Sequence, residues 1–318
     1  MLDRYGRVVD YLKIAITDRC NLQCVYCKSA DTKYRPDYIN DTLSADDIKF
    51  LIKAFAENGI KKIKFVGGGG EPTLHPNLPD FIKCARDCGI RDISLTTNGT
   101  TLVRIAQKLK DSGLTSVNVS IDSLKQYKYH AVTRNGNLNE VLTGIDSCLR
   151  LGMKVKINCV AINDFNDNEI IDFIQISRRI PVDVRFIEFM PYGEAKAIYN
   201  RGHYDIKSVI EELPGIRKIE NTDKGSIASY YKVKGSKGRI GVITPLACSF
   251  CNKCNKINVT ADGMMRLCIH SKSEIDLKPY LNKPYLFNEN IQKLIWIKPR
   301  HNDLIKRQFV KNDLKINK

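Results

Sequence analysis

The stretch "YLKIAITDRCNLQCVYC", residues 11–27, changes character half-way along. Its first half alternates, with Leu12, Ile14 and Ile16 on one parity and Lys13 and Thr17 on the other, which is the period of a β-strand. Its second half places Cys20, Cys24 and Cys27 at spacings of four and three. "LSADDIKFLIKAFAENG" (43–59) then follows with helical spacing, Ser44 as N-cap candidate and Gly59 as stop. The three thiols therefore sit in the loop after the first strand of a strand-helix unit, where parallel α/β folds place their active sites.

The same unit recurs along the chain. "KKIKFV" (61–66) precedes a helix near 78–88, "RDISLTT" (91–97) one near 101–112, and "TSVNVSID" (115–122) one near 138–151. "MKVKINCVAI" (153–162) precedes a helix near 166–179, and "VDVRFIEFM" (182–190) one near 205–213. Six such units predict parallel strands with right-handed crossovers, as a doubly wound sheet or as a full or partial barrel. Strand parity favours a barrel with a lumen. One face is apolar, including Ile63, Phe65, Ile93, Leu95, Val117 and Val119; the other carries Lys13, Lys64, Thr96, Ser120, Lys156 and Asn158. A packed barrel interior would be filled by branched apolar side chains, so polar and cationic groups on the inward face point to a space that holds a ligand. A sheet with one wet face is the competing reading, which parallel sheets disfavour. From about residue 215 the pattern gives way to short strand-like pieces, "SYYKVK" and "GRIGVITP", a second cysteine cluster and a basic helical end. Residues 1–214 and 215–318 are accordingly expected as two regions.

The chain has 318 residues, 43% hydrophobic content and a net charge of +16, enough for one large barrel or two ordinary domains. The first residues lack the apolar run of a signal peptide, and no segment approaches the ~18 apolar residues of a membrane span. A cytoplasmic protein without a membrane partner is expected. There, 11 cysteines point away from a disulfide framework and toward metal or redox chemistry. The basic residues are spread along the chain and form no RNA-recognition signature. That counts against a nucleic-acid surface, but composition alone does not choose between it and pockets for a polyphosphate, and a solvated basic surface accounts for most of these charges.

Three thiolates leave one coordination position free. A cubane iron-sulfur cluster held in this way keeps one iron open for a non-protein ligand, whereas zinc would need a fourth ligand from elsewhere. The pattern C-x3-C-x2-C after "ITDR", with Tyr26 before the last cysteine, resembles the signature of the radical S-adenosylmethionine (SAM) enzymes. "GGEP" (69–72), "LTTNG" (95–99), "VSID" (119–122) and "RFIEFM" (185–190) continue the resemblance in order. The second cluster, "CSFCNKCNKINVTADGMMRLCIH" (248–270), sets Cys251, Cys254 and Cys268 as C-x2-C-x13-C. By itself that spacing leaves structural zinc, completed by His270 or Cys248, about as good an account as a cluster. With "ADG" before the last cysteine it resembles the auxiliary-cluster region of the GTP 3',8-cyclase family, and the resemblance runs roughly from residue 4 to 300.

The resemblance implies a partial (β/α)6 TIM-like radical SAM barrel over 1–214, closed by a C-terminal region, 215–318, that carries an auxiliary cluster. It implies two [4Fe-4S] clusters, on Cys20, Cys24 and Cys27 and on Cys251, Cys254 and Cys268. SAM contacts carry over to Tyr26, Gly70, Ser120 and Met190, and substrate contacts to Lys13, Lys64, Thr96, Lys156, Lys256 and Asn258. The first three cysteines and Lys156 carry over as catalytic. The implied reaction is cyclisation of GTP by a SAM-derived 5'-deoxyadenosyl radical, the first step of molybdenum cofactor biosynthesis. A reductant protein and a downstream cyclic pyranopterin monophosphate synthase are the implied partners. Three departures stand out. Lys256 and Asn258 occupy positions that are usually Arg in the family, "VGGGGEP" holds two extra glycines at Gly67 and Gly68, and the chain ends in "LKINK" where the family commonly ends in two glycines. Lys keeps the charge but loses the bidentate fork. A related radical SAM enzyme acting on a peptide or another small molecule is the alternative; a basic nucleic-acid-binding protein with structural zinc sites is a third reading.

Overall fold

A computed structural model describes residues 1–27, 42–191, 195–221, 225–247, 250–271 and 273–301. The six expected units are present. Strands β1 (Tyr11–Ala15), β2 (Lys62–Val66), β3 (Asp92–Thr97), β4 (Ser116–Ser120), β5 (Lys154–Ala161) and β6 (Val182–Glu188) lie side by side in chain order, all parallel. Helices α1 (Ala45–Glu57), α2 (Leu78–Asp87), α3 (Leu102–Ser112), α5 (Leu138–Arg150) and α6 (Ile170–Arg179) connect them. The first helix starts where the sequence predicts. The Ser44 hydroxyl accepts from the Asp47 N–H and the Asp47 carboxylate accepts from the Ser44 N–H, so two end donors are satisfied reciprocally. Its apolar stripe, Ile48, Leu51, Ile52 and Phe55, is buried against the outer face of the sheet, which contributes Leu12, Ile14, Ile63 and Phe65 to one continuous core.

The structure adds elements that the sequence periods do not announce. Helix α4 (Gln126–Thr133) precedes α5, and α7 (Ala195–Gly202) precedes α8 (Ile206–Glu212). Helix α6 begins at Ile170 instead of near 166, because Asn166 is fully buried and committed elsewhere. Its side-chain amide donates to the carbonyls of Asp122 and Val160 and accepts from the Ile162 N–H, which leaves only a short 3-10 turn before the helix.

Residues beyond β6 join the same sheet at both ends. Strands β7 (Ile216–Ile219), β8 (Ser229–Val233) and β9 (Ile240–Ile243) extend it past β6. Strands β10 (Lys256–Val259), β11 (Met264–Arg266) and β12 (Ile275–Asp276) extend it past β1, giving the order β12-β11-β10-β1-β2-β3-β4-β5-β6-β9-β8-β7. The partial barrel is thus a curved parallel sheet whose edges, β1 and β6, are covered by parallel strands β10 and β9. Covering them removes two unpaired rows of backbone groups. Helix α9 (Pro284–Trp296) packs back on α1, where Phe287 meets Phe50 and Phe55 edge to face. Among the described residues no helix is long and apolar enough to cross a membrane.

Candidate active site

Parity and register place the inward side chains. Lys13 on β1 is the partner of Asn258 on β10 and of Lys64 on β2, so three strands about 4.8 Å apart present these groups in one row. Further round the sheet Thr96 is level with Asn118 and Asn118 with Lys156, while Ser120 is level with Asn158 and Asn158 with Arg185. The opposite parity is almost wholly buried, including Leu12, Ile63, Leu95, Val117 and Ile157. The lumen inferred from sequence parity is therefore the concave face of the sheet.

This lumen is strongly cationic. Burial, then Lys256, hold the Lys13 ammonium down at about 8, with Arg185 adding to the effect and the Cys254 thiol opposing it. Lys64 is held well below its ordinary value by burial and by four neighbouring cations, Arg185, Lys13, Lys156 and Lys256. Positive groups crowded into a poorly solvated space attract a polyanion far more strongly than the same charges in water. Arg185 is a member that sequence reasoning missed. Its guanidinium donates to Asn158 and Asn118, and burial lowers its basicity. Gly241 on β9 makes room for it, since a Cβ there would stand 2.8 Å from the Arg185 Cγ.

The first cysteine loop leaves β1 at the open end of this lumen. Helix α4 holds it, through Gln23 N–H to the Thr133 carbonyl and Val25 N–H to the Val132 carbonyl. Asn98 reaches the loop from β3, donating to Asn21 Oδ1 at 2.9 Å and lying 3.9 Å from the Cys20 sulfur. The Tyr26 hydroxyl donates to Asp122 at the end of β4. Burial, then Asp122 and the thiols of Cys27 and Cys20, push the Cys24 thiol up to about 12. The three thiols are thus close enough to oppose one another's ionisation, although among the described residues no three His, Cys, Asp or Glu side chains are closed into a ligating set. A bound cationic cluster would reverse that penalty, and the donor set, three sulfurs on a held loop at the rim of a lumen, fits one.

Gly70 lies against the same loop. A Cβ there would meet the Thr17 carbonyl oxygen at 2.6 Å and that of Arg19 at 2.7 Å, and the Glu71 N–H donates to Arg19 O at 2.6 Å. Only glycine permits this approach. Both additional glycines are used: a Cβ at Gly67 would stand 1.5 Å from the Gly70 carbonyl oxygen, and Gly68 has a φ of 55°, a conformation that L side chains rarely adopt. The Glu71 carboxylate is buried and accepts from Thr73, from the Thr97 hydroxyl at 2.6 Å and from the Asn98 N–H at 2.6 Å, which ties the glycine turn to the end of β3.

The second triad lines a cavity of about 170 Å³ that opens onto the same cations. Cys251, Cys254 and Cys268 share it with Lys13, Lys256, Asn258, Met190 and His270. A water needs only about 10–15 Å³ of such space, so the cavity has room for a much larger group. Burial pushes the Cys254 thiol up, but Lys298, the Lys256 N–H, the Lys256 ammonium and Arg7 outweigh it and leave the thiol below its ordinary value. A pocket that favours thiolate suits a metal cluster. Cys251 stands as a disulfide in this structure, a state that must be reduced before its sulfur can serve as a ligand. Cys248 and the "LKINK" end lie outside the described residues.

Comparison with known proteins agrees with this geometry. The profile of the Radical SAM superfamily matches residues 14–176, and that described as Molybdenum Cofactor Synthesis C matches 182–304. A GTP 3',8-cyclase of Clostridium acetobutylicum is 43% identical over 300 residues, covering 94% of this chain and 93% of its own. One from Alkaliphilus oremlandii is 41% identical over 308 residues, covering 96% and 95%. The chain belongs to the GTP 3',8-cyclase family of radical SAM enzymes. Its fold is shared with Streptococcus suis SuiB bound to the precursor peptide SuiA (TM-score 0.59, 14% identity, 94% of this chain and 67% of that one). It is also shared with anSMEcpe with bound AdoMet (TM-score 0.53, 16% identity, 90% and 80%).

Within that family framework the residues fall into two groups. Cys20, Cys24, Cys27, Tyr26 and Gly70 gather at the rim after β1. Lys13, Lys256, Asn258 and Met190 gather with Cys251, Cys254 and Cys268. Lys64 and Lys156 act on each other across the lumen between these groups, and Thr96 and Ser120 point into it from β3 and β4. Arg7 and Lys298 were missed, for they are single cations in unremarkable sequence contexts. Only tertiary contacts reveal them, 244 residues apart for Arg7 with Cys251 and 42 apart for Lys298 with Lys256.

Proposed function

We propose that the chain is a GTP 3',8-cyclase in which the two cysteine triads hold two [4Fe-4S] clusters at either side of one cationic lumen. The observation that supports it most directly is the joint presence of three thiols at the rim, the sulfurs of Cys251, Cys254 and Cys268 in the second cavity, and five cations on the same lumen, Lys13, Lys64, Lys156, Lys256 and Arg185. A cluster held by Cys20, Cys24 and Cys27 would supply, when bound and reduced, the electron for cleaving SAM to methionine and the 5'-deoxyadenosyl radical that abstracts hydrogen from C3' of GTP.

The chain's own residues bind, orient and exclude water. Gly70 lets backbone approach the SAM amino group, and Tyr26, fixed by Asp122, and Ser120 line its pocket, whereas Met190, the other SAM contact implied by the resemblance, lies on the wall of the second cavity. Lys13, Lys64, Lys156, Lys256 and Asn258, with Thr96, hold the triphosphate so that the guanine reaches the second triad. Held there, the C3' radical adds to guanine C8, and one electron and one proton complete 3',8-cyclo-7,8-dihydro-GTP. In this reading residues 1–214 form the SAM-cleaving barrel and 215–318 bring the auxiliary cluster, in a cytoplasmic enzyme supplied by a reductant protein. The product passes to cyclic pyranopterin monophosphate synthase.

Anaerobic incubation of the reconstituted protein with SAM, dithionite and GTP tests the reading, with 5'-deoxyadenosine and the cyclised nucleotide followed by mass. Both products in equal amounts are expected. Deoxyadenosine without cyclised nucleotide would overturn GTP as substrate and leave the radical machinery in place.

A further inference from the structure

Lys298 follows α9 and is 1% exposed. Its Nζ donates to the carbonyl of Lys256 at 2.8 Å and to that of Leu267. Those two carbonyls belong to the two arms of the second triad: Lys256 comes two residues after Cys254, and Leu267 directly precedes Cys268. One ammonium therefore ties together the segments that carry two of the three sulfurs. Arg7 reaches the third arm. Its Nη1 donates to the Cys251 carbonyl at 2.7 Å and its Nη2 to Pro299 at 2.7 Å, which links the Cys251 backbone to the strap that holds Lys298.

The charges are distributed unequally. Arg7 is neutralised by Asp3, whose carboxylate is 2.5 Å from its Nε and buried with it. Lys298 is bonded to two neutral carbonyls, and among the described residues no carboxylate is in contact with it. Burying an ammonium without an anion is costly. Groups of this kind around a metal site orient the ligands and tune the metal.

We propose that Lys298, braced by Arg7, is the positioning residue of the second triad. It fixes the separation of the Cys254 and Cys268 arms and supplies the buried positive charge that favours the reduced, more negative state of the cluster held there. The proposal rests on the reading that this triad holds an iron-sulfur cluster.

The test uses the full chain with Cys20, Cys24 and Cys27 all changed to Ala, so that only the second site can load. Iron and sulfide analysis comes first; their absence overturns the cluster reading and the proposal with it. With the cluster present, Lys298→Met should shift its midpoint potential, followed by electron paramagnetic resonance, to a more negative value. The variant should also release iron to a chelator about 10–100-fold faster. Lys298→Arg, which keeps charge and donors, should restore much of the parent potential. If Lys298→Met does not fold, Lys298→Gln keeps an N–H donor while dropping the charge and should show the same negative shift. An unchanged potential in the folded neutral variant, or an equal shift in Lys298→Arg, overturns the proposal, because a merely structural lysine would change thermal stability without moving the potential.

Discussion

The two cysteine triads have the same donor set and opposite surroundings. At the rim, Cys24 stands beside Asp122, Cys20 and Cys27, and its thiol is driven up to about 12. At the far wall, Cys254 stands among Lys298, Lys256 and Arg7, and its thiol is drawn down despite burial. Cys24 therefore depends on a cluster to become anionic, whereas Cys254 is prepared for negative charge by the protein. That difference matches a division of labour. A site whose loop is gathered from helix α4, Asn98 and the glycine turn is built for access by a cofactor. A site clamped by buried cations is built to stay put and hold a charge.

Substitutions at the two sites test this contrast. The largest effect is expected from Cys24→Ser, which should abolish SAM cleavage, while Cys251→Ser leaves deoxyadenosine formation intact and stops the cyclised nucleotide; loss of cleavage in both would erase the distinction between the sites. Asp3→Ala should come next. It leaves the Arg7 guanidinium buried without its carboxylate and should cost about 3–5 kcal/mol, seen as a lower unfolding midpoint and as iron lost from the second site before the first.

Lys64→Met removes a cation from the middle of the lumen and should weaken GTP binding by about 2 kcal/mol, roughly 30-fold, in calorimetry, without altering the iron content of either site. The lumen should also respond to pH. Lys13 is held at about 8 against an ordinary 10.5, so across that window the unfolded chain keeps a proton that the folded chain has released. Ligand-free stability contributed by this group then rises from about pH 8 to 10.5, while GTP affinity, which needs the ammonium, falls over the same range. Opposite slopes in thermal unfolding and in binding titrations check it. The smallest effect is expected from Asn258→Arg, which adds a bidentate donor next to Lys13 and should lower the KM for GTP a few-fold with kcat unchanged.

Much of the fold was legible because period-two alternation and helical spacing repeat so regularly. The inward parity of Lys13, Lys64 and Lys156 could be read directly, and the register turned that parity into a cluster. Helix α4 was not legible: "QYKYHAVT" has no clear apolar stripe, and the helix exists because Tyr129 and Val132 are buried while its carbonyls receive the cysteine loop. Strand β10 was visible only as the residues after a cysteine, since nothing local shows that "KINV" pairs in parallel with a strand some 245 positions earlier. Arg185, Arg7 and Lys298 stayed hidden for the same reason. A charged residue acquires its role from what long-range pairing brings to it.

The bonds of Arg7 to Cys251 and to Pro299 and Arg300 also order events in time. Their partners lie up to 293 residues apart, so the brace around the second triad closes only after α9 has been synthesised. The described hydrogen bonds to the backbone of the rim loop come from residues no later than Asn135, just past α4, so it can gather while the ribosome is still working on the rest. On the proposed two-cluster reading, the two sites should therefore mature in sequence. A chain stalled before α9 would hold a loop ready for its cluster and an open second pocket, a target for misplaced iron or for oxidation of its thiols.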